Sequence, residues 1–457
     1  MSFEKVTALL ERYGHDTVCS QALEPGLSYW FSEDGDACVA YAAVGGAWVA
    51  AGGPICDQDK RQAVMRSFAS SATVAGKRPR FFATEDACAG FSSVLIGEQA
   101  EWEPTQWEAT LASKASLREQ LRRARAKGVS VRAVNAREVC NPKGELHKQV
   151  RLMVRDWQQS RQMAPMQFLV TLDLFQNEKH KRYFIAEREG RVIGLLVAAA
   201  IPARKGWFFE NLLRAHDASN GTTELLFDCA IRVAAEEGIE LVSFGLAPLA
   251  GDVSAWLAAV RDHSRWLYDF EGLRAFKAKL VPQRWQRIYL SFPEQEKGVR
   301  ATIDSLTAFA GGSWIGFGLR TLAHAHATLV WWFALLLIPW TVLLSQGAVE
   351  HWFPSASIRA AWIGFDMLLF VGLVNLALGF DKGKARLLSV LAACDAAMGI
   401  VQLVQFNQHR LTSVFEWSLA LVAIAAPIGA SVILAMSAQL RERLYLPAES
   451  QTPKAPA

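Results

Sequence analysis

Phe209-Glu210-Asn211-Leu212-Leu213-Arg214, followed after three residues by Ala218-Ser219-Asn220-Gly221-Thr222-Thr223-Glu224-Leu225-Leu226, reads as a strand ending in polar residues, a tight turn and the start of a helix. Such a junction sets backbone N–H groups and the positive end of a helix beside a strand terminus, which suits an anion or a developing oxyanion. Asn220, Gly221 and Thr222 would form the nest, with Gly221 letting backbone approach a ligand; Asn-Gly before a helix also serves as a plain turn and cap. Arg214 reads either as a holder of phosphate or carboxylate or as one half of a structural ion pair. Glu224, in the first helical turn, either binds a substrate ammonium or complements the helix dipole.

Working outward, residues 184–187 and 192–200 alternate like strands around Arg188-Glu189-Gly190-Arg191, residues 207–213 continue as a strand, 222–237 as a helix and 241–245 as a strand again. The same grammar stands earlier in the chain. Residues 37–42 and 47–51 flank the glycine pair Gly45-Gly46, then come the turn Gly52-Gly53-Pro54, a helical stretch over 57–75 and a strand at 79–83. The expected fold is therefore α/β, with two copies of one hairpin–helix–strand unit. Between the copies lies Ser116-Leu117-Arg118-Glu119-Gln120-Leu121-Arg122-Arg123-Ala124-Arg125-Ala126-Lys127-Gly128. Ser116 and Glu119 have capping-box spacing and Gly128 suits a helix stop. Arg118, Arg122 and Arg125 form one helical stripe, either a solvated face or a surface for tRNA backbone or anionic lipid.

Beyond about residue 320 the chain changes solvent. Residues 327–344, 360–380, 387–406 and 417–438 are apolar for roughly the 17–25 residues that a bilayer core requires, so a four-helix transmembrane domain is expected. Lys382, Lys384 and Arg386 between the second and third stretches, with Arg441 and Arg443 after the fourth, place those segments and the soluble body on the cytoplasmic side of an inner membrane. The start, Met1-Ser2-Phe3-Glu4-Lys5, lacks the pattern of a secretory signal. Asp366, Asn375, Asp395, Gln402 and Gln405 are costly in hydrocarbon and serve either a polar path or interhelical bonding. The expected division is 1–135 and 136–300 for the two lobes, 301–326 for a linker, 327–440 for the spans and 441–457 for a disordered tail. Seven cysteines without a CxxC pair point to a reduced compartment and no zinc site, and a net charge of +4 implies no nucleic-acid binding on its own.

Two further segments carry a resemblance. Phe244-Gly245-Leu246-Ala247-Pro248-Leu249 ends a strand, and Phe270-Glu271-Gly272-Leu273-Arg274-Ala275-Phe276-Lys277-Ala278-Lys279-Leu280-Val281-Pro282 precedes Trp285. With the Asn-Gly-Thr turn these resemble the synthase domain of the phosphatidylglycerol lysyltransferases, the multiple peptide resistance factors, whose pattern runs Asp-Leu-Met-Arg, Pro-Asn-Gly, Leu-Gly-Met-Ala-Pro-Leu, Phe-Lys-Gly-Leu and Phe-Lys-x-Lys-Phe-x-Pro-x-Trp. The similarity covers about residues 26–290. It implies tandem GNAT-like lobes, an aminoacyl-tRNA donor and a lipid-hydroxyl acceptor of the phosphatidylglycerol type. Because the donor ester is already activated, alignment and oxyanion stabilisation suffice, and neither a metal nor an organic cofactor is expected.

Carried over residue by residue, the resemblance puts Asn211 where the family has an acid, with Glu210 preceding it. Strand alternation places Glu210 on the opposite face, so it does not simply substitute. Glu210, Asn211 and Arg214 are the candidate catalytic set. Lys277 and Lys279 share one face if 276–281 is extended, and contact tRNA or lipid phosphate or else stand as a solvated pair. The family's Gly-Asp-Pro turn is Gly52-Gly53-Pro54 here, and its membrane helices precede the synthase domain whereas these follow it. Two rival readings stand beside an aminoacyltransferase: a GNAT-type acyltransferase using acyl-CoA, and a non-catalytic sensor with a degenerate transferase body. The sequence is silent on oligomeric state.

Overall fold

The computed structural model describes residues 2–161, 166–172, 174–263, 269–324 and 326–445, and the chain divides into two compact units at Trp314. The first unit is built on one sheet of eleven strands: β1 (Ser28–Phe31), β2 (Cys38–Val44), β3 (Ala47–Ala51), β4 (Arg78–Thr84), β5 (Phe91–Trp102), β6 (Ser130–Val134), β7 (Lys181–Arg188), β8 (Arg191–Ile201), β9 (Gly206–Arg214), β10 (Leu241–Pro248) and β11 (Arg284–Pro293). Their order across the sheet is β1-β2-β3-β4-β11-β5-β10-β9-β8-β7-β6.

The repeated grammar is visible in it. β2 and β3 form an antiparallel hairpin around Gly45 and Gly46, both at positive φ, and β3 runs parallel to β4 through the Arg61–Val74 helix. In the second copy β7 and β8 make the hairpin, and β9 runs parallel to β10 through the Thr222–Glu236 helix. This is the α/β architecture of tandem GNAT-like lobes. The copies share strands: β11, made last, lies between β4 and β5 of the first lobe and antiparallel to both, while β5 pairs with β10 of the second.

The Thr222–Glu236 helix is amphipathic, and Leu225, Leu226, Phe227, Ala230, Ile231 and Ala234 are all buried. Phe227 is the hub, with ring centroids 5.1 Å from Trp102, 5.0 Å from Trp107, 5.6 Å from Phe209 and 5.2 Å from Phe244. Removing an aromatic ring of this kind from water contributes roughly 2–3 kcal/mol before edge-to-face contacts are added. The first lobe repeats the device on a smaller scale, with Val64, Met65, Phe68 and Ala72 of its helix buried and Phe68 against Phe81.

Three local expectations are corrected. The helix expected from Ser116 begins at Ala115, and its N-cap, Lys114, makes no side-chain cap bond, so the capping box is not formed. Residues 276–279 are not extended but end the Phe270–Lys279 helix, whose N-cap Asp269 accepts from Gly272 N. The fourth apolar stretch lies in a helix, Val414–Tyr445, that reaches into the expected tail; residues 446–457 of that tail lie outside the described residues.

The second unit holds the helices His326–Ser345, Ala356–Leu378, Lys382–Gln402 and Val414–Tyr445. Among the described residues, three segments, Ala356–Leu378, Lys382–Asn407 and Val414–Gln439, are long and apolar enough to cross a membrane; the apolar part of the first helix, Leu329–Ser345, is shorter. Polar groups tie the helices together. Ser389 Oγ donates to Ser431 O at 2.9 Å, Ser431 Oγ returns a bond to Ser389 O at 2.8 Å, and Gln402 Nε2 donates to Trp352 O at 2.9 Å. Lys384 Nζ donates to Asn375 Oδ1 at 2.7 Å, while Asp366 and Asp395 are buried.

Candidate functional site

A bulge in β9 decides where its polar residues point. Val197 of β8 pairs with Asn211 and Ala198 with Phe209, so Glu210 is the extra residue. Ala199 and Glu210 line one cavity, and Val197, two residues from Ala199, faces the same way together with its partner Asn211. The bulge therefore brings Glu210 and Asn211 onto one face of the sheet, which corrects the alternation expected from sequence. Arg214 goes the other way. It pairs with Gly194, whose Cβ direction is occupied by Thr222 and Leu226 of the Thr222–Glu236 helix, and it is exposed with no hydrogen bond or ion pair among the described residues. The expected catalytic trio is thus divided between two faces.

The cavity beside the bulge is about 20 Å³, room for a water or an ammonium group, and Ser20, Glu24, Asn177, His180, Lys181 and Glu210 line it. Lys181 Nζ lies 3.9 Å from Glu210 Oε2. Lys181 pairs with Ala199 across β7 and β8, so Lys181, Ala199 and Glu210 form a row on one face. Glu24 Oε2 accepts from Leu169 N at 3.2 Å. Two carboxylates and an ammonium converge at a strand bulge where first-lobe and second-lobe residues meet, with the Asn211 amide nitrogen buried and without a hydrogen-bond partner among the described residues, which makes the cavity a candidate polar site. Sequence reasoning missed Ser20, Glu24, His180 and Lys181. Only Lys181 left a signal: it is in phase with Tyr183 and Ile185, both buried, so a charged side chain stands where the strand turns inward.

The Asn220-Gly221-Thr222 turn is filled by protein. Gly221 has φ +95°, and a Cβ there would stand 2.8 Å from Gln120 O and 3.1 Å from Ala124 Cβ on the Ala115–Ala126 helix. Thr222 is fully buried and its hydroxyl donates to Ser219 O at 2.7 Å. The glycine thus serves the approach of a helix, and Asn220 stays exposed. Glu224 is buried and accepts from Lys279 Nζ at 2.5 Å and from Thr223 Oγ1 at 2.9 Å. Burial alone would raise its carboxyl, but these partners outweigh it and hold it below the ordinary range.

Lys277 is a clamp inside the fold. Its Nζ donates to the carbonyls of Phe244, Gly245 and Leu246 at 3.0, 2.8 and 2.9 Å, where β10 is irregular between Ser243 and Leu246. The three carbonyls match the three N–H groups of an ammonium, while burial pushes its pKa down to about 7.

The arginine stripe is also tied down. Arg118 Nη1 donates to Leu111 O and Ala112 O, closing the end of the Trp107–Ser113 helix. Arg125 Nη2 donates to Asp228 Oδ2 at 2.7 Å; Trp107 Nε1 and Arg232 Nε share Asp228 Oδ1, each at 2.9 Å. Arg122 and Arg123 both bond Glu119, whose pKa their hydrogen bonds pull to about 2, and both remain exposed. Arg118, Arg125 and Arg232 border a groove floored by Leu111 and Leu121.

In the first lobe, the space beyond Gly53 is occupied by Arg61 and Asp16. Asp16 Oδ2 accepts from Gly53 N at 2.8 Å and from Arg61 Nη2 at 2.7 Å, so a carboxylate from another segment stands at the turn. Arg204 of the second lobe bonds Glu85 at 2.7 Å and Glu101 at 3.3 Å, and Arg284 bonds Glu101 at 2.8 Å, fastening the lobes through buried carboxylates.

Residues 7–292 match the family model described as phosphatidylglycerol lysyltransferase, C-terminal. The phosphatidylglycerol lysyltransferase of Bacillus subtilis (strain 168) is 24% identical over 336 residues, covering 68% of this chain and 37% of that protein, so the chain spans well under half the length of that curated relative. Among solved structures, a C-terminal domain assigned to a lysylphosphatidylglycerol synthetase of Agrobacterium fabrum superposes with a TM-score of 0.59 at 23% identity, over 68% of this chain and 98% of that one. L-PGS from Bacillus licheniformis superposes with a TM-score of 0.57 at 21% identity, over 70% of this chain and 97% of that one.

Proposed function

Because the chain belongs to the family of the phosphatidylglycerol lysyltransferase C-terminal domain, we propose that it moves an aminoacyl group from aminoacyl-tRNA to the headgroup hydroxyl of a phosphatidylglycerol-type lipid. The single observation that carries this reading is the family match over residues 7–292, nearly the whole first unit, in a chain that continues into apolar helices of span length. The reaction is a transesterification: the lipid oxygen attacks the ester carbonyl, the tetrahedral oxyanion collapses, and the ribose hydroxyl leaves with a proton.

In this reading Glu210, held by Lys181, is the base that takes the lipid proton, and the Glu24 carboxylate beside the bulge orients the aminoacyl ammonium. Asn211, an amide where the family has an acid, donates a hydrogen bond and takes no proton. Arg214 meets a phosphate, Arg122 meets donor backbone, and Asn220 borders the entry. Gly221, Thr222, Glu224, Lys277, Lys279, Arg118 and Arg125 hold the surrounding fold through backbone bonds, ion pairs and the close approach of the Ala115–Ala126 helix. The spans hold the unit at the cytoplasmic face of the inner membrane, where a soluble donor meets a lipid acceptor.

The test supplies membranes holding the full chain with radiolabelled aminoacyl-tRNA in one reaction and labelled acyl-CoA in another, followed by lipid extraction. Lipid label from tRNA that vanishes after ribonuclease is the expected result. Label only from acyl-CoA overturns it in favour of a GNAT-type acyltransferase. No label from either donor, across all amino acids, overturns it in favour of a non-catalytic body, a reading to which the amide at Asn211 lends support.

A further inference from the structure

The Gly298–Phe309 helix turns Asp304 inward and carries an apolar stripe on its outer face. On the inner face Asp304 accepts from Arg78 Nε at 3.0 Å, from Arg78 Nη2 at 2.7 Å and from Arg80 Nε at 3.0 Å. Arg80 is fully buried and also bonds Glu296. Ala301, Ser305 and Ala308 complete the buried side. Facing away are Val299, Ile303 and Leu306, 50%, 52% and 43% exposed, at i, i+4 and i+7. Five residues beyond the helix, Trp314 donates Nε1 to Thr307 Oγ1 at 2.9 Å and leaves its ring 49% exposed. Lys297 and Arg300 are exposed at the start of the same helix.

A helix packed on a water-soluble domain ordinarily buries its apolar stripe. Here a desolvated ion cluster fixes the helix to the sheet with three branched aliphatic side chains held outward, an arrangement that water opposes. Apolar residues on one face, a Trp anchored by its N–H and flanking cations are what a helix lying in the headgroup layer presents to anionic lipid. The chain also supplies the lipid. Trp314 opens the helix Trp314–His324, and the first apolar helix begins two residues after that helix ends, at His326, so the stripe is followed closely in sequence by apolar chain.

We propose that the outer face of the Gly298–Phe309 helix, with Trp314, is a membrane-docking surface that seats the first unit in the headgroup layer of an anionic bilayer. The proposal goes beyond the transfer reaction and holds whether or not the unit moves aminoacyl groups.

The test reconstitutes the full chain in phosphatidylglycerol-containing vesicles that carry a lipid with a photoactivatable acyl chain, irradiates them, and maps adducts by peptide mass spectrometry. Adducts are expected on the peptide holding Ile303 and Leu306 and on Trp314, in addition to the span-length helices. None is expected at Val74, an equally apolar residue 87% exposed on the Arg61–Val74 helix. In the double variant Ile303→Glu, Leu306→Glu, both positions pointing outward, adducts on this helix should fall about tenfold while those on the spans persist, since two charges remove most of the apolar insertion. Adducts confined to the spans overturn the proposal. So does cross-linking of this helix to a second copy of the chain, which assigns the stripe to self-association. Adducts nowhere overturn it together with the membrane reading itself.

Discussion

Lys277 shows how one side chain can hold a strand irregularity in place. Replacing it by Met leaves three carbonyls at Phe244, Gly245 and Leu246 without donors, at an expected loss of about 3 kcal/mol. A thermal-shift measurement checks this, and an unchanged melting temperature would remove Lys277 from its structural role. Gly221→Ala should cost about 1–3 kcal/mol, because φ is +95° and the new methyl meets Gln120 O. Glu210→Gln should keep the melting temperature and lower aminoacyl transfer by about 100-fold or more, as loss of a general base does; full activity in that variant would move the base elsewhere. These roles were unevenly legible. Glu210 and Asn211 could be named from sequence, but the face they share depends on a bulge that only the β8 register creates. Gly221 could be recognised as a turn glycine, yet the helix that requires it comes from about a hundred residues earlier.

Elements were legible where short-range chemistry fixes them. Both hairpins announce themselves by glycine turns, and the Thr222–Glu236 helix by its apolar period. Over 276–281 an extended reading is one option, because Phe-Lys-Ala-Lys alternates like a strand; the structure instead makes 276–279 the end of the Phe270–Lys279 helix, whose N-cap is Asp269. The arginine helix shows the limit of a stripe read from spacing. Arg118→Ala and Arg125→Ala should each lower thermal stability, the first by uncapping the Trp107–Ser113 helix and the second by removing a partner of buried Asp228. Arg122→Glu should leave stability unchanged and flatten the salt dependence of tRNA binding, as filter binding against ionic strength would show. A pH series tests the Gly298–Phe309 helix. Burial works against ionisation of Asp304, but Arg78 and Arg80 outweigh it and hold its carboxyl below the ordinary range. A lowered folded value stabilises the fold above the unfolded pKa of about 4 and is lost as pH falls through the folded value. The melting-temperature gap between wild type and Asp304→Asn should therefore be widest near neutrality and shrink below about pH 4. A gap independent of pH would show that the ion cluster does not hold the helix.

At the scale of the molecule, the eleven-stranded sheet joins two lobes that the sequence presents as successive. Composition alone separates the apolar helices from the charged body, and repeated grammar reveals two α/β copies. The insertion of β11 between β4 and β5 is a pairing across roughly 200 residues, and nothing local in Arg284–Pro293 names its partners. A fragment of residues 136–300 should accordingly fail to fold, since β11 would lose both neighbours and Arg204 would lose Glu85 and Glu101. Circular dichroism and limited proteolysis decide this, and a protease-resistant fragment with a sharp melt would show the lobes to be autonomous.

That interleaving also sets a timetable for biosynthesis. While the ribosome is making the second lobe, the nascent first lobe holds β4 and β5 with an empty slot between them, two open edges suited to pairing with the wrong chain. The slot fills only after Pro293 has emerged, and the hydrophobic helix starting at His326 follows shortly after. Closure of the sheet and emergence of the first apolar helix are thereby pressed into one short interval of translation, and a chaperone that shields those edges until then would raise the yield of intact protein.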